Sequence, residues 1–178
     1  MVVIFIIAVV AVLLDQLSKL AVVGFAIDFS NPIFTGMLEK EGESVSIIRN
    51  FFSFTYVLND GAAFGILENQ RWFFLIVTVI ACVAGIIMLL RMPIKHWLLK
   101  ISAGFLFGGA IGNLIDRVVI GVVRDFLDAV FCEKWFGFSF AVFNVADVFV
   151  VVGVILLIIY VFFVHDKLYP EQKKEKNG

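Results

Sequence analysis

Four long apolar runs divide this chain, from about Val2 to Ile27, Trp72 to Leu90, Trp97 to Ile120 and Asn144 to Val164. Each approaches or exceeds the ~20 residues that an α-helix needs to cross a hydrocarbon core. Backbone groups in lipid must be satisfied within the protein, so an open chain of such runs predicts four transmembrane helices. Between the first two runs the texture changes. Asp28 to Arg71 contains Pro32, Gly36 and Gly42, an acidic group at Glu39, Glu41 and Glu43, and then Ser46–Leu58, rich in β-branched and aromatic residues and closed by Asn59-Asp60-Gly61. That is a strand-and-turn pattern. It predicts a small sheet on the membrane surface, with phenylalanines entering the interface.

Composition sharpens this picture. Apolar residues make up 62% of the 178, charged residues only 16%, and mean hydropathy is +1.05, which excludes an ordinary soluble domain. One integral membrane domain over residues 1–178 is expected, its β-rich part near 28–70 and a polar tail from 165. A net charge of -1 and the lack of a basic, aromatic-interleaved patch argue against nucleic acid. The loop after the second run is short and basic (Arg91, Lys95, Lys100, with Pro93 breaking the helix), and the tail carries Lys167, Lys173, Lys174 and Lys176. The positive-inside rule puts that loop and both termini in the cytoplasm. Asp15, Gln16 and Lys19 interrupt the first run, and no basic region precedes it, so an uncleaved span is expected there.

Cys82 mid-span and Cys132 in a loop read as structural, and His96 and His165 have no metal-ligand spacing. No metal or cofactor is expected. Gly104, Gly108 and Gly112, with Gly109 beside them, would let a neighbouring helix approach closely.

The chemistry-bearing candidates are polar residues set among apolar ones: Asn113, Asp116, Asp125, Asn144 and Asp147. An ionisable group near hydrocarbon costs several kcal/mol unless paired or wetted, so it reads first as functional. Asn113, Asp116 and Arg117 fall at i, i+3 and i+4, on one helix face, with Arg117 as the cation beside Asp116. Asp15 and Lys19, also i and i+4, either neutralise each other or brace a site inside the bundle. Gly121 should end the third helix, leaving Asp125 at the membrane boundary and Asp128 as a solvated loop charge. Asn144 can cap the fourth helix, with Asp147 at its third position. If Asp125 and Asp147 meet, two close carboxylates share one proton near neutral pH. The ionised one can activate water and the protonated one can protonate an amide carbonyl. That points to an intramembrane aspartyl peptidase.

Five motifs in order carry a resemblance: Asp15-Gln16-x-x-Lys19, Asn59-x-Gly61-Ala62-Ala63-Phe64-Gly65, Gly108-Gly109-x-x-Gly112-Asn113-x-x-Asp116-Arg117, Val123-x-Asp125-Phe126 and Phe143-Asn144-x-Ala146-Asp147. With them the chain resembles the lipoprotein signal peptidases, the type II signal peptidases of bacteria. The resemblance implies four membrane helices, a β-sheet cradle on the outer face and a catalytic dyad of Asp125 and Asp147. It implies substrate binding by Asn59, Gly61, Asn113, Arg117 and Asn144, with support from Asp15, Lys19, Asp116 and Ala146. The implied reaction is removal of a signal peptide just before a diacylglyceryl-modified cysteine, in the bacterial cytoplasmic (inner) membrane near its outer face. Implied partners are such prolipoproteins, membrane lipids and the inhibitor globomycin. The segment around Asn31–Ser44 looks like an insertion relative to that family.

Two other classes compete. A small transporter would spread carboxylates through mid-membrane positions on several helices, whereas here they gather near one face. A structural assembly factor would tolerate loss of Asp125 and Asp147.

Overall fold

The structure, a computed structural model, describes residues 1–25, 33–61, 70–91 and 96–165. Four long apolar helices form a bundle: α1 (Val2–Val22), α2 (Arg71–Arg91), α3 (Trp97–Val119) and α5 (Val145–Ile159), the last running on through a π-helical turn, Tyr160–His165. A short helix, α4 (Val130–Phe136), precedes α5. Two antiparallel sheets accompany them. One pairs β1 (Gly24–Phe25) with β2 (Phe34–Thr35); the other has the order β3 (Ser44–Ile48), β4 (Phe52–Asn59), β5 (Val123–Asp128).

Helix α3 is the axis of the bundle, packed along α1 on one side and α5 on the other. Its glycines permit the approach. A Cβ at Gly108 would lie 2.5 Å from the Ala11 Cβ on α1, and one at Gly109 would lie 2.4 Å from the Ala146 carbonyl on α5. By contrast α2 leaves Trp72, Phe73, Ile76, Ile80 and Leu90 exposed, and α5 leaves Val151, Ile155 and Ile158 exposed. Bands this apolar and this long suit hydrocarbon as the surrounding medium.

The sheet caps the end of the bundle where α1 and α3 finish and α2 and α5 begin. Val22, Val23, Leu38, Tyr56 and Phe126 form the core between them, flanked by Phe54, Leu58 and Val145. Strand β5 is also stitched to Phe143, two residues before α5. Phe126 and Leu127 donate to the Phe143 carbonyl at 3.0 and 2.7 Å, and Phe143 donates back to Leu127 at 3.0 Å. The strand and the start of α5 therefore hold a fixed register.

Several elements differ from the sequence reading. The first helix stops at Val22, short of Ile27, because Gly24 takes φ +86 and turns the chain into β1. Ser46–Leu58, expected to be strand and turn, falls within two strands of the sheet, with Asn50 at φ +63 in the reversal between them. Val123–Asp128 forms a strand that the sequence reading did not separate from the loop, and Cys132 is buried in helix α4. Asp128 is no solvated loop charge: it ends β5 half-buried and accepts a 2.8 Å hydrogen bond from Thr55 Oγ1. Helix α3 does end just before Gly121, as expected, and the φ of that glycine is +99. Residues Ala62–Gly65, Pro32, Pro93, Lys95 and the tail lysines lie outside the described residues, as do Asn31 and Pro32 of the apparent insertion.

Candidate active site

Asp125 on β5 and Asp147 in the first turn of α5 are joined by amides. Asp125 is 2% exposed. Its Oδ1 accepts from Asn144 Nδ2 at 2.6 Å and its Oδ2 from Asn59 Nδ2 at 2.8 Å. Asp147 accepts from Asn113 Nδ2 at 2.8 Å through Oδ1, and from the Asn144 main-chain N–H at 3.1 Å through Oδ2. Asn144 Oδ1 accepts from the Asp147 N–H at 3.0 Å, closing a reciprocal helix cap. Asn113 Oδ1 takes Asn144 Nδ2 and Lys19 Nζ, both at 3.0 Å. Each amide oxygen faces only donors and each amide nitrogen only acceptors, so the chain Asp125–Asn144–Asn113–Asp147 has one consistent orientation.

Burial, and then the negative charge of Asp147, push the Asp125 carboxyl up to about 7, against the opposing pull of the Asn59 and Asn144 hydrogen bonds. A buried carboxyl of this kind holds a proton near neutral pH. Asp147 is half-buried. Both line a cleft of about 540 Å³ together with Asn59, Gly61, Asn113 and Arg117. The rest of the lining is largely apolar, including Phe74, Phe140, Val148, Val151 and Val152. An extended chain with an apolar neighbour could lie there with its backbone against the carboxylates.

A second polar cluster lies behind the first. Lys19 and Asp15 are fully buried, 2.9 Å apart, and Asp15 Oδ1 accepts from the Ala146 N–H at 2.9 Å. This ion pair is therefore both self-neutralising and a brace on the start of α5. Gly112 leaves the room it needs: a Cβ there would lie 2.6 Å from Asp15 Oδ2. Lys19 is also 3.3 Å from Asp116.

The expected pairing of Asp116 with Arg117 is not formed. Asp116 faces α1 and is held by Arg124, through Nη2 at 2.7 Å, Nε at 3.2 Å and the main-chain N–H at 3.0 Å. Arg117 turns the other way, donating to the Gly61 carbonyl at 3.4 Å with its guanidinium over the Phe74 ring. Adjacent helical positions differ by about 100°, which separates the two side chains. Arg124 received no role from the sequence, where its one signal was a basic residue beside Asp125 between Val123 and Phe126, and Gln16 stood in a motif with no partner assigned to it. Asn144, expected to bind substrate, is fully buried with its amide committed to Asp125, Asp147 and Asn113.

Fold and site together define a multi-pass membrane protein with a polar, carboxylate-bearing cleft at one end of its helices. A family model described as signal peptidase (SPase) II matches residues 7–163. The chain belongs to the signal peptidase II family. It is 44% identical over 164 residues to the lipoprotein signal peptidase of Symbiobacterium thermophilum, covering 91% of this chain and 95% of that relative. Against that of Clostridioides difficile the identity is 41% over 154 residues, 86% of this chain and 90% of the relative. A solved structure described as a bacterial membrane enzyme, obtained by the in meso method at 2.3 Å resolution, superposes with a TM-score of 0.74 at 34% identity. It covers 92% of this chain and 88% of its own.

Proposed function

We propose that this protein is an aspartyl endopeptidase that removes signal peptides from prolipoproteins, cleaving just before a diacylglyceryl-modified cysteine. The observation that carries the reading is the convergence of Asp125 and Asp147, from a strand and a helix, on one cleft whose remaining lining is largely apolar. The lipoprotein signal peptidase relatives supply the substrate class.

In this mechanism Asp147, open to the cleft, accepts a proton from a water molecule as the oxygen attacks the scissile carbonyl carbon. Asp125, which holds a proton near neutral pH, delivers it to the carbonyl oxygen. The resulting gem-diol collapses: its hydroxyl proton returns to one carboxylate, the C–N bond breaks, and the proton taken by Asp147 goes to the leaving amine. Asn113 and Asn144 keep the two carboxylates at fixed distance. Asn59, Gly61 and Arg117 bind the substrate backbone along the cleft, and Asp15, Lys19, Asp116 and Ala146 support the wall behind it. The apolar lining takes the signal peptide and the acyl chains.

The whole chain acts as one integral domain of the bacterial cytoplasmic membrane, with both termini cytoplasmic and the sheet and cleft at the outer face. Globomycin would compete for the same cleft. Cleavage of a diacylglyceryl-modified prolipoprotein by purified protein in detergent tests the reading, alongside Asp125→Asn and an unlipidated substrate. Cleavage before the lipidated cysteine, lost in the variant and without the lipid, is the expected result. A well-folded sample that binds this substrate but leaves it whole would sink the peptidase reading.

A further inference from the structure

Among the described residues, the polar interior holds two fully enclosed cations, Lys19 and Arg124, and the mechanism above leaves Arg124 without a task. Its guanidinium reaches three elements besides its own. Nη1 donates to the Gly24 carbonyl on β1 at 2.7 Å, and Nη2 to Gln16 Oε1 on α1 at 3.0 Å and to Asp116 Oδ1 on α3 at 2.7 Å. Nε and the main-chain N–H of the same residue both hold Asp116 Oδ2. The strand is thus tied to α3 through the residue immediately before Asp125, from both backbone and side chain.

A second route runs through the ion cluster. Arg124 supplies three donors to Asp116, so Lys19, 3.3 Å from that carboxylate, makes its shorter contacts to Asp15 at 2.9 Å and Asn113 Oδ1 at 3.0 Å. That contact fixes which way Asn113 points, and so its donation to Asp147. Arg124 therefore acts on one carboxylate through the strand and on the other through Asp116, Lys19 and Asn113.

We infer that Arg124 is a positioning residue: its guanidinium locks β5 onto α1, β1 and α3, so that Asp125 is aimed at Asp147. The role belongs to the fork rather than to the charge. The charges facing Asp125 are Asp147 on α5, Lys19 on α1 and Arg117 on α3, and Arg124 points away from it. A lysine supplies the same charge as a single point and cannot span Gly24, Gln16 and Asp116 together. The inference rests on the dyad proposed above.

The test is Arg124→Lys in the full-length protein, read in two ways. One is steady-state cleavage of the diacylglyceryl prolipoprotein. The other is an infrared titration of the protonated-carboxyl band assigned by its disappearance in Asp125→Asn. A misaimed pair should lose about a hundredfold in kcat with KM little changed. The Asp125 band should titrate lower by about half a pH unit or more as the carboxyl moves away from its like charge. A kcat within about twofold of wild type overturns the inference, as does a loss confined to KM or an unmoved band midpoint. If Arg124→Lys fails to accumulate, Gln16→Met removes the Oε1 partner of the fork, together with the Nε2 donations to Asp15, Gly112 and Asp116, while leaving the charged residues themselves in place. It should shift kcat and midpoint in the same directions by less, and no shift in either overturns the inference. If wild type does not cleave at all, the peptidase reading falls, while the band midpoint still reports whether Arg124 sets the geometry of the pair.

Discussion

Replacing Asp125 with asparagine should abolish cleavage and yet make the protein more stable in alkaline solution. The carboxyl ionises near 7 in the folded protein and near 3.8 when free, a difference of about three units, worth ~4 kcal/mol at 1.36 kcal/mol per unit. Because the folded pKa is the higher one, the native state binds more protons than the unfolded chain between pH 4 and 7. Wild-type stability from this group is therefore complete below about pH 4 and is lost as pH rises through 7. Asparagine never ionises and escapes that loss. It has a cost of its own, since Asp125 accepts from both Asn59 and Asn144 and an amide offers one oxygen, leaving one donor without a partner. That cost is about 1–3 kcal/mol and does not depend on pH. The variant should thus melt below wild type near pH 4 and above it at pH 8. The swing of ~4 kcal/mol corresponds to roughly 10 °C. Thermal unfolding in one detergent at a fixed scan rate, repeated across this pH range, measures it. A melting difference that stays constant with pH would refute the buried, proton-holding carboxyl on which the mechanism depends.

Further outcomes follow from the same geometry. Asp147→Asn should also abolish processing while the protein still accumulates in membranes; turnover at the wild-type rate would remove it from the dyad. Arg117→Ala, at a residue that donates to the Gly61 carbonyl, lies over Phe74 and faces Asp125 and Asp147 by charge, should weaken globomycin or substrate binding with little effect on folding. Unchanged inhibitor affinity counts against that role. Gly109→Val should push α3 off the Ala146 carbonyl of α5 and destabilise by about 1–3 kcal/mol or more, read as a lower melting temperature. A variant as stable as wild type would show that the helices do not pack through this glycine.

Much of the architecture was legible because it is written in neighbouring residues. The apolar runs mark α2 and α3 to within a residue, since a span is a statement about length and hydropathy alone. The cap at Asn144 was legible for the same reason: a side chain three positions from its carboxylate meets it within one helical turn. The glycine series marked the close face of α3, although only the packed bundle shows that Gly108 serves α1 and Gly109 serves α5. Strand β5 was not legible. Six residues with Arg and Asp among them carry a weak strand pattern, and their extended shape comes from pairing with β4, some seventy positions earlier in the chain.

The sequence by itself determined that this is a four-span membrane protein with Asn144 and Asp147 capping the start of its last helix, because hydrophobic length and helix capping are local properties. Tertiary structure alone decided which charges meet. Asp116 has Arg117 as its neighbour in sequence but Arg124 as its partner in space, and Arg124 finds Gln16, 108 positions away, because α1, α3 and β5 converge there. A buried ion selects its partner by who else is excluded from water beside it, and that is settled only when the helices have packed.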